Sequence, residues 1–291
     1  LSTLLGGNYV NTRDHALAEY YFRQALGMMG SSLGKDDLMP SDQLAQIWVN
    51  RGSNYAFQLK SDSAELCFEK ATQILDRVNP GQGERLAVGV MHETQGILSL
   101  DMGNYAQGEI LLHESLRIFK SALGENHTEV SKVYFSLGYG FYLQNQPDST
   151  LACAKLSEQA LGEYPAEKSF LHFAKSKSLA GKAWVQKFRN ETVKDTGLLK
   201  QAITEAGVVE TAFDRYVSSL EGELRFFSMA AGLKQAFEPA LAAHLLLYGI
   251  DSQQTHIEEA FRLSEKTKAL SWLEKFRFQH NFKAGDSLPA L

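Results

Sequence analysis

The sequence predicts an all-α protein, a superhelix of about six helical hairpins stacked in chain order. Two observations carry that expectation. Within residues 48–71, Trp48, Gly52, Tyr55, Ala64, Phe68 and Ala71 stand at spacings that place them on facing sides of two antiparallel helices. The small residues permit close approach, and the bulky ones fill the space that remains. The same alternation of sizes then recurs along all 291 residues, with Gly6, Gly52, Gly96, Gly138 and Gly181 separated by 46, 44, 42 and 43 residues. A hairpin with two apolar sides cannot bury both alone, so copies at such a period stack on one another.

The elements follow from this ruler. Residues 1–30 carry Leu5, Gly6 and Tyr9 as the end of a first helix and Ala18, Phe22 and Ala25 on a second. A turn-rich stretch over 30–40 follows, and Ser41 is placed to cap the helix bearing Trp48. The second unit spans 41–78 and stops at Asn79, Pro80 and Gly81, because proline lacks the donor that would continue the helix. The third unit, 84–123, has Gly96, a turn at Met102, Gly103 and Asn104, then Gly108, Leu112 and Ser115 at the close-packing positions. The fourth, 127–162, has Tyr134, Leu137, Gly138 and Phe141 before a turn at Pro147, then Thr150, Ala154 and Ser157. The fifth, 166–220, has Gly181 and Trp184, a longer polar connection over 189–196, then Ala202, Ala206 and Val209. In the last unit, 223–278, residues 224–250 read as a long helix interrupted near Pro239. Residues 257–278 read as a charged amphipathic helix with Ala260, Leu263, Leu270 and Leu273 on one side, and 279–291 as a tail or linker.

On these residues the chain resembles the tetratricopeptide (TPR) repeat, which has a bulky residue, Gly and Tyr on its first helix and Ala, Phe and Ala on its second. Arg51 stands where that pattern prefers Leu. The period is longer than the usual one of about 34 residues, and in this it resembles the long-repeat class found in kinesin light chains. The resemblance implies a single right-handed solenoid over 1–291 that works by binding proteins.

Composition narrows the function. A hydrophobic fraction of 44% with 22% charged residues describes a folded chain, and no run of residues is apolar enough to span a membrane. A net charge of -5 with no basic stripe argues against nucleic acid as a partner. Cys67 and Cys153 read as small packing residues within second helices. Phosphate loops, zinc-binding His-Glu-x-x-His, Cys-x-x-Cys pairs and nucleophile elbows are all missing from the sequence, so no catalytic residue, metal or cofactor is expected. Cys153 with His172 would be a nucleophile pair only if a third group oriented the base, and the sequence supplies none. Glu258, Glu259, Glu265, Lys266 and Lys268 read as a solvated helix face. The chain does not begin with Met, so its compartment rests on weak ground, with the cytoplasm favoured.

Function is therefore expected on the face of the first helices that the size ladder leaves over. Counting from the ladder selects Gln46, Val49, Asn50 and Ser53 in the second unit and Glu93 and Ile97 in the third. It selects Lys132, Phe135, Tyr139 and Tyr142 in the fourth, and Lys175, Ser178 and Lys182 in the fifth. Rings and lysines together suit an extended or helical protein segment with acidic side chains, unless Phe135 and Tyr142 merely pack between units. Some TPR domains clamp a chaperone's carboxylate tail. Asn50 and Lys132 fall on such places, but Thr3 and Gly7 stand where Lys and Asn are needed, so that partner is disfavoured.

Residues 260–276 resemble the final helix before the caspase-like domain of bacterial TPR-CHAT proteins, and 237–247 its apolar partner helix. Glu265, Lys268 and Ala269 match that family's Glu-x-x-Lys-Ala-x-x-Leu run, with Trp272 in place of its Leu. The resemblance implies a non-catalytic arm that positions or restrains a downstream protease-like domain, with which it would make intramolecular contact. A peptide-sensing regulator is the alternative within binding proteins. A hydrolase with a site between repeats is the alternative of another class.

Overall fold

The computed structural model describes residues 6, 14–32, 41–58, 60–78, 86–162, 169–217 and 223–281. Among these the regular elements are all helices: α1 (His15–Ser32), α2 (Ser41–Ala56), α3 (Ser61–Val78), α4 (Leu86–Asp101), α5 (Tyr105–Leu123), α6 (Thr128–Leu143), α7 (Pro147–Leu161), α8 (Phe170–Asn190), α9 (Thr196–Val217), α10 (Glu223–Asp251) and α11 (Gln254–Asn281). Thr3, Leu5, Gly7, Tyr9, most of the 30–40 stretch, Asn79, Pro80, Gly81 and the tail beyond 281 lie outside the described residues. No helix among the described residues is long and apolar enough to cross a membrane.

The chain divides into two compact units, Leu1–Glu125 and Asn126–Leu291. In the first, α2 pairs with α3 and α4 with α5, while α1 and α4 both lie against α2. In the second, α6 pairs with α7, α8 with α9 and α10 with α11, and α8 also meets α6, α7 and α10. Each unit is thus an all-α helical-repeat stack in which neighbours in sequence are neighbours in space.

The glycines allow that closeness. A Cβ on Gly52 would lie 2.6 Å from Cε1 of Phe68, and one on Gly6 would lie 2.5 Å from Cε1 of Phe22. In both copies a ring of the second helix rests on bare backbone of the first. The third copy uses two facing glycines instead: Gly96 would meet Cγ of Leu112 at 2.8 Å, and Gly108 would meet Cδ2 of Leu100 at 2.7 Å. Around the first of these contacts, Ala45, Val49, Ala64, Phe68, Ala71 and Met91 form one buried cluster with Trp48 and Tyr55 packed on it.

Arg51, the departure from the ladder, has a physical role. Its guanidinium binds both carboxylate oxygens of Glu19 on α1, with Nε 3.0 Å from Oε2, and reaches the Tyr55 hydroxyl at 3.2 Å. It also lies 5.3 Å from the centre of the Trp48 ring, a cation–π distance. An ion pair to the preceding helix thus stands where an apolar contact is usual.

In the second unit some close-packing positions carry hydroxyls, and each is satisfied within the fold. Ser157 on α7 donates to the Ser131 carbonyl of α6 at 2.8 Å and lies 2.7 Å from Ser176 Oγ of α8. Cys67 and Cys153 are buried thiols, and burial is the main influence that pushes the Cys67 thiol up.

Pro239 does not interrupt its helix as expected; α10 runs unbroken from Glu223 to Asp251. Proline removes the N–H that would bond the carbonyl four residues earlier, at Gln235. Ser178 of α8 donates its hydroxyl to that carbonyl at 2.7 Å, so the orphaned acceptor is paired. The ring itself rests on Gly181, where a Cβ would lie 2.8 Å from Pro239 Cγ. The polar connection after α8 is also shorter than expected, because the helix continues through Asn190. Lys194 then folds back, donating to the carbonyls of Phe188, Arg189 and Glu191 at 3.0, 3.0 and 2.7 Å and closing the helix end.

Candidate functional site

The sequence-selected residues of the second unit lie on α6 and α8, which pack against each other. At the start of α6, His127 Nδ1 accepts the Glu129 N–H at 3.1 Å, and Glu129 receives Lys132 Nζ at 2.7 Å. From α8, the imidazole of His172 is pushed down to about 3, first by burial and then by the ammonium groups of Lys132 and Lys175. Two lysines from different hairpins therefore lie within electrostatic reach of one ring, and that ring stays uncharged at neutral pH. Further along, Phe135 and Tyr142 are half-buried against Leu151, Ala154, Leu179 and Ala180. The Tyr142 carbonyl accepts Gln186 Nε2 at 3.1 Å. Tyr139 is half-buried on the same helix. Lys182 pairs with Glu238 of α10, Nζ to Oε2, at 2.9 Å, with both groups open to solvent.

The face so assembled has an ionic end, where Lys132 is paired with Glu129 and Lys175 lies within reach of the neutral His172, and an aromatic end around Phe135 and Tyr142. The rings at that aromatic end also pack between hairpins, so each is only partly open to solvent. Lys177, one turn on from Phe173, points elsewhere: it bridges Glu158 of α7 and Glu205 of α9 at 2.8 and 3.1 Å.

Asn50, Ser53 and Glu93 belong to the first unit. Asn50 accepts Gln46 Nε2 at 3.0 Å on α2, and Glu93 is half-buried on α4. Ser53 is buried, donating to the Val49 carbonyl at 3.1 Å and lying 2.9 Å from Thr94 Oγ1, so it joins α2 to α4 and lines no open surface. Val49 and Ser178 are corrected likewise. Val49 is wholly covered in the core, and Ser178 spends its hydroxyl on Gln235. Counting along one helix identifies its side but not what the next hairpin lays over it.

His172 is the residue that sequence reasoning placed in another role. An imidazole held near 3 is a poor acceptor for a thiol proton at neutral pH, so it suits Cys153 badly as a base. Its place within electrostatic reach of Lys132 has no sequence signal, because 40 residues separate the two. Glu258 and Glu265 sit on an exposed helix face, and Lys268 pairs with Glu265 at 2.7 Å. Arg262 and Lys266 instead bind Glu210 of α9 at 2.9 and 2.6 Å. Burial raises the Glu210 carboxyl, but hydrogen bonds and charge from Arg262 and Lys266 outweigh it and hold the group below its ordinary range. Among the described residues no three His, Cys, Asp or Glu side chains converge as a metal site. No protein-family model matches the chain, and a search of curated proteins finds no match.

Proposed function

We propose that the chain is a TPR-type array that binds a protein segment along the face of α6 and α8 and performs no chemistry of its own. The observation that carries this reading is that Lys132 and Lys175 lie on the packed helices α6 and α8, both within electrostatic reach of the half-buried, neutral His172, together with the half-buried rings of Phe135, Tyr139 and Tyr142. Lysines beside aromatic rings suit acidic side chains with apolar anchors between them, which would compete with Glu129 for Lys132 and with Glu238 for Lys182. Such binding weakens as salt rises, since its charges face solvent. Replacing Tyr139 and Lys182 together and measuring capture of native partners tests the reading. Loss of capture with unchanged thermal unfolding supports it; equal capture removes α6 and α8 as the binding face.

The likeness of 237–247 and 260–276 to the last hairpin before a CHAT domain supports a further element of the proposal. The array would act as an arm that positions or restrains a caspase-like domain following residue 291. Reading the parent open reading frame tests it, because a continuation into an unrelated sequence removes the arm role and leaves the binding role standing.

A further inference from the structure

The turn joining α10 to α11 gathers three titratable groups that the α6 and α8 face does not use. His244 of α10 is buried, and its Nδ1 lies 3.3 Å from Nδ1 of His256 on α11. His256 Nε2 lies 3.2 Å from Asp251 Oδ2. The other oxygen of Asp251 accepts the Gln253 N–H at 2.9 Å. Ser252, with φ of 55°, reverses the chain and donates its N–H to the Tyr248 carbonyl at 2.9 Å. The carboxylate that shapes the turn thus also holds the imidazole that meets His244.

Ring geometry separates a shared proton from a shared metal. The centroids are 5.5 Å apart and the facing nitrogens 3.3 Å, a difference of about one ring width, so each nitrogen points nearly along the line to the other. A hydrogen bond favours that line. Two ligands of a tetrahedral ion must instead both aim off it, at a common point. With a carboxylate on Nε2, His256 keeps a proton there. In the neutral pair His244 donates Nδ1–H to the lone pair on His256. With one proton more, taken up at Nε2 of His244, the bridging proton passes to Nδ1 of His256, which then carries the charge beside Asp251 and donates back to His244. One proton fills the gap in both states, and a further one would set two N–H bonds head to head.

We infer that His244 and His256 form a one-proton clasp on the final hairpin, which survives the first protonation and releases the α10–α11 turn on the second. The groups acting on His244 come from α11. Burial, His256 and Arg262 hold its ring below the ordinary imidazole range, and Glu259 opposes them. Glu259 is itself bound by Arg262 Nε at 2.8 Å. From α8 and α9 the neighbours of Ala243 and Leu247 on this part of α10 are apolar: Val185, Phe188, Leu199 and Ala202. Among the described residues the carboxylates acting on the pair are Asp251 and the already bound Glu259.

Imidazole nitrogen spectra of the full chain, followed from about pH 8 to about pH 4, read both rings. The expected result is a first step that moves both rings together and a second at least about one pH unit lower. The second step should coincide with faster amide exchange at Ser252 and His256 relative to α8. Asp251→Asn keeps both rings but removes the carboxylate acceptor at His256 Nε2, and should bring the amide response at Ser252 and His256 forward into the first step. His256→Gln should leave His244 titrating in one step with no amide response. Two independent single-step titrations that ignore Asp251→Asn would overturn the clasp. So would stoichiometric zinc that shifts both Nδ1 signals at neutral pH.

Discussion

In the first unit the glycine of a first helix is covered by its own hairpin, Gly52 by Phe68. In the second unit the next hairpin reaches it as well: Gly138 is covered by Leu179 together with Cys153 of its own hairpin, and Gly181 by Pro239. The same small residue at the same period therefore does two jobs. In one unit it closes a hairpin; in the other it sets the distance between hairpins. A repeat is thus conserved in volume while its partners change, because packing density constrains how much space is filled and not which element fills it.

The largest effect should come from breaking the first arrangement. Gly52→Val puts a branched side chain where a single Cβ would already lie 2.6 Å from Phe68, and overpacking of this kind costs about 3 kcal/mol. Chemical denaturation should show the loss, and Phe68→Leu should recover part of it. In the second unit the matching pair is Gly181→Ala with Pro239→Ala, which should couple across hairpins; strict additivity would contradict the contact.

Acid is the next probe of the second unit. His172 lies near 3 when folded against an ordinary 6.5, so the unfolded chain binds its proton more readily between those values. Stability of the second unit should fall as pH drops below 6.5, by about 2 kcal/mol at about pH 5, and His172→Gln should flatten that slope. Third, Ser178→Ala leaves the Gln235 carbonyl unpaired and should cost about 1–2 kcal/mol. In a Pro239→Ala background, where a backbone N–H returns, the cost should nearly vanish.

The smallest effect belongs to the first unit. Burial pushes the Glu19 carboxyl up, but hydrogen bonds and charge from Arg51 and Arg23 prevail and hold it below 4.5. The pair's contribution is therefore present above 4.5 and is lost as pH falls through the lower folded value. Arg51→Gln should cost about 1 kcal/mol at neutral pH, with the difference from the unaltered chain shrinking in acid.

Much of the fold was legible because a size ladder is local. Gly52, Ala64 and Phe68 lie within one hairpin, and their spacing alone dictates which sides face each other. What depends on a second hairpin was not legible. Arg51 reads as a mismatch until Glu19, 32 residues earlier, is seen beside it. Pro239 reads as a break until Ser178, in a helix 61 residues before it, supplies the missing donor. The candidate face divides the same way. Lys132 and Tyr139 were selected by counting, whereas the burial of Ser53 and the influence of two lysines on His172 come from neighbours the count does not include.

The hydroxyl of Ser178 also bears on the order in which the chain folds. Alone in water α10 carries a proline in its middle and a carbonyl at Gln235 that no residue of its own can bond. It becomes a sound helix only once α8 offers a hydroxyl and a bare glycine to dock on. Since α8 leaves the ribosome first, the second unit should fold in one direction, its earlier hairpin serving as the template on which the last one assembles, so Ser178→Ala should slow the docking of α10.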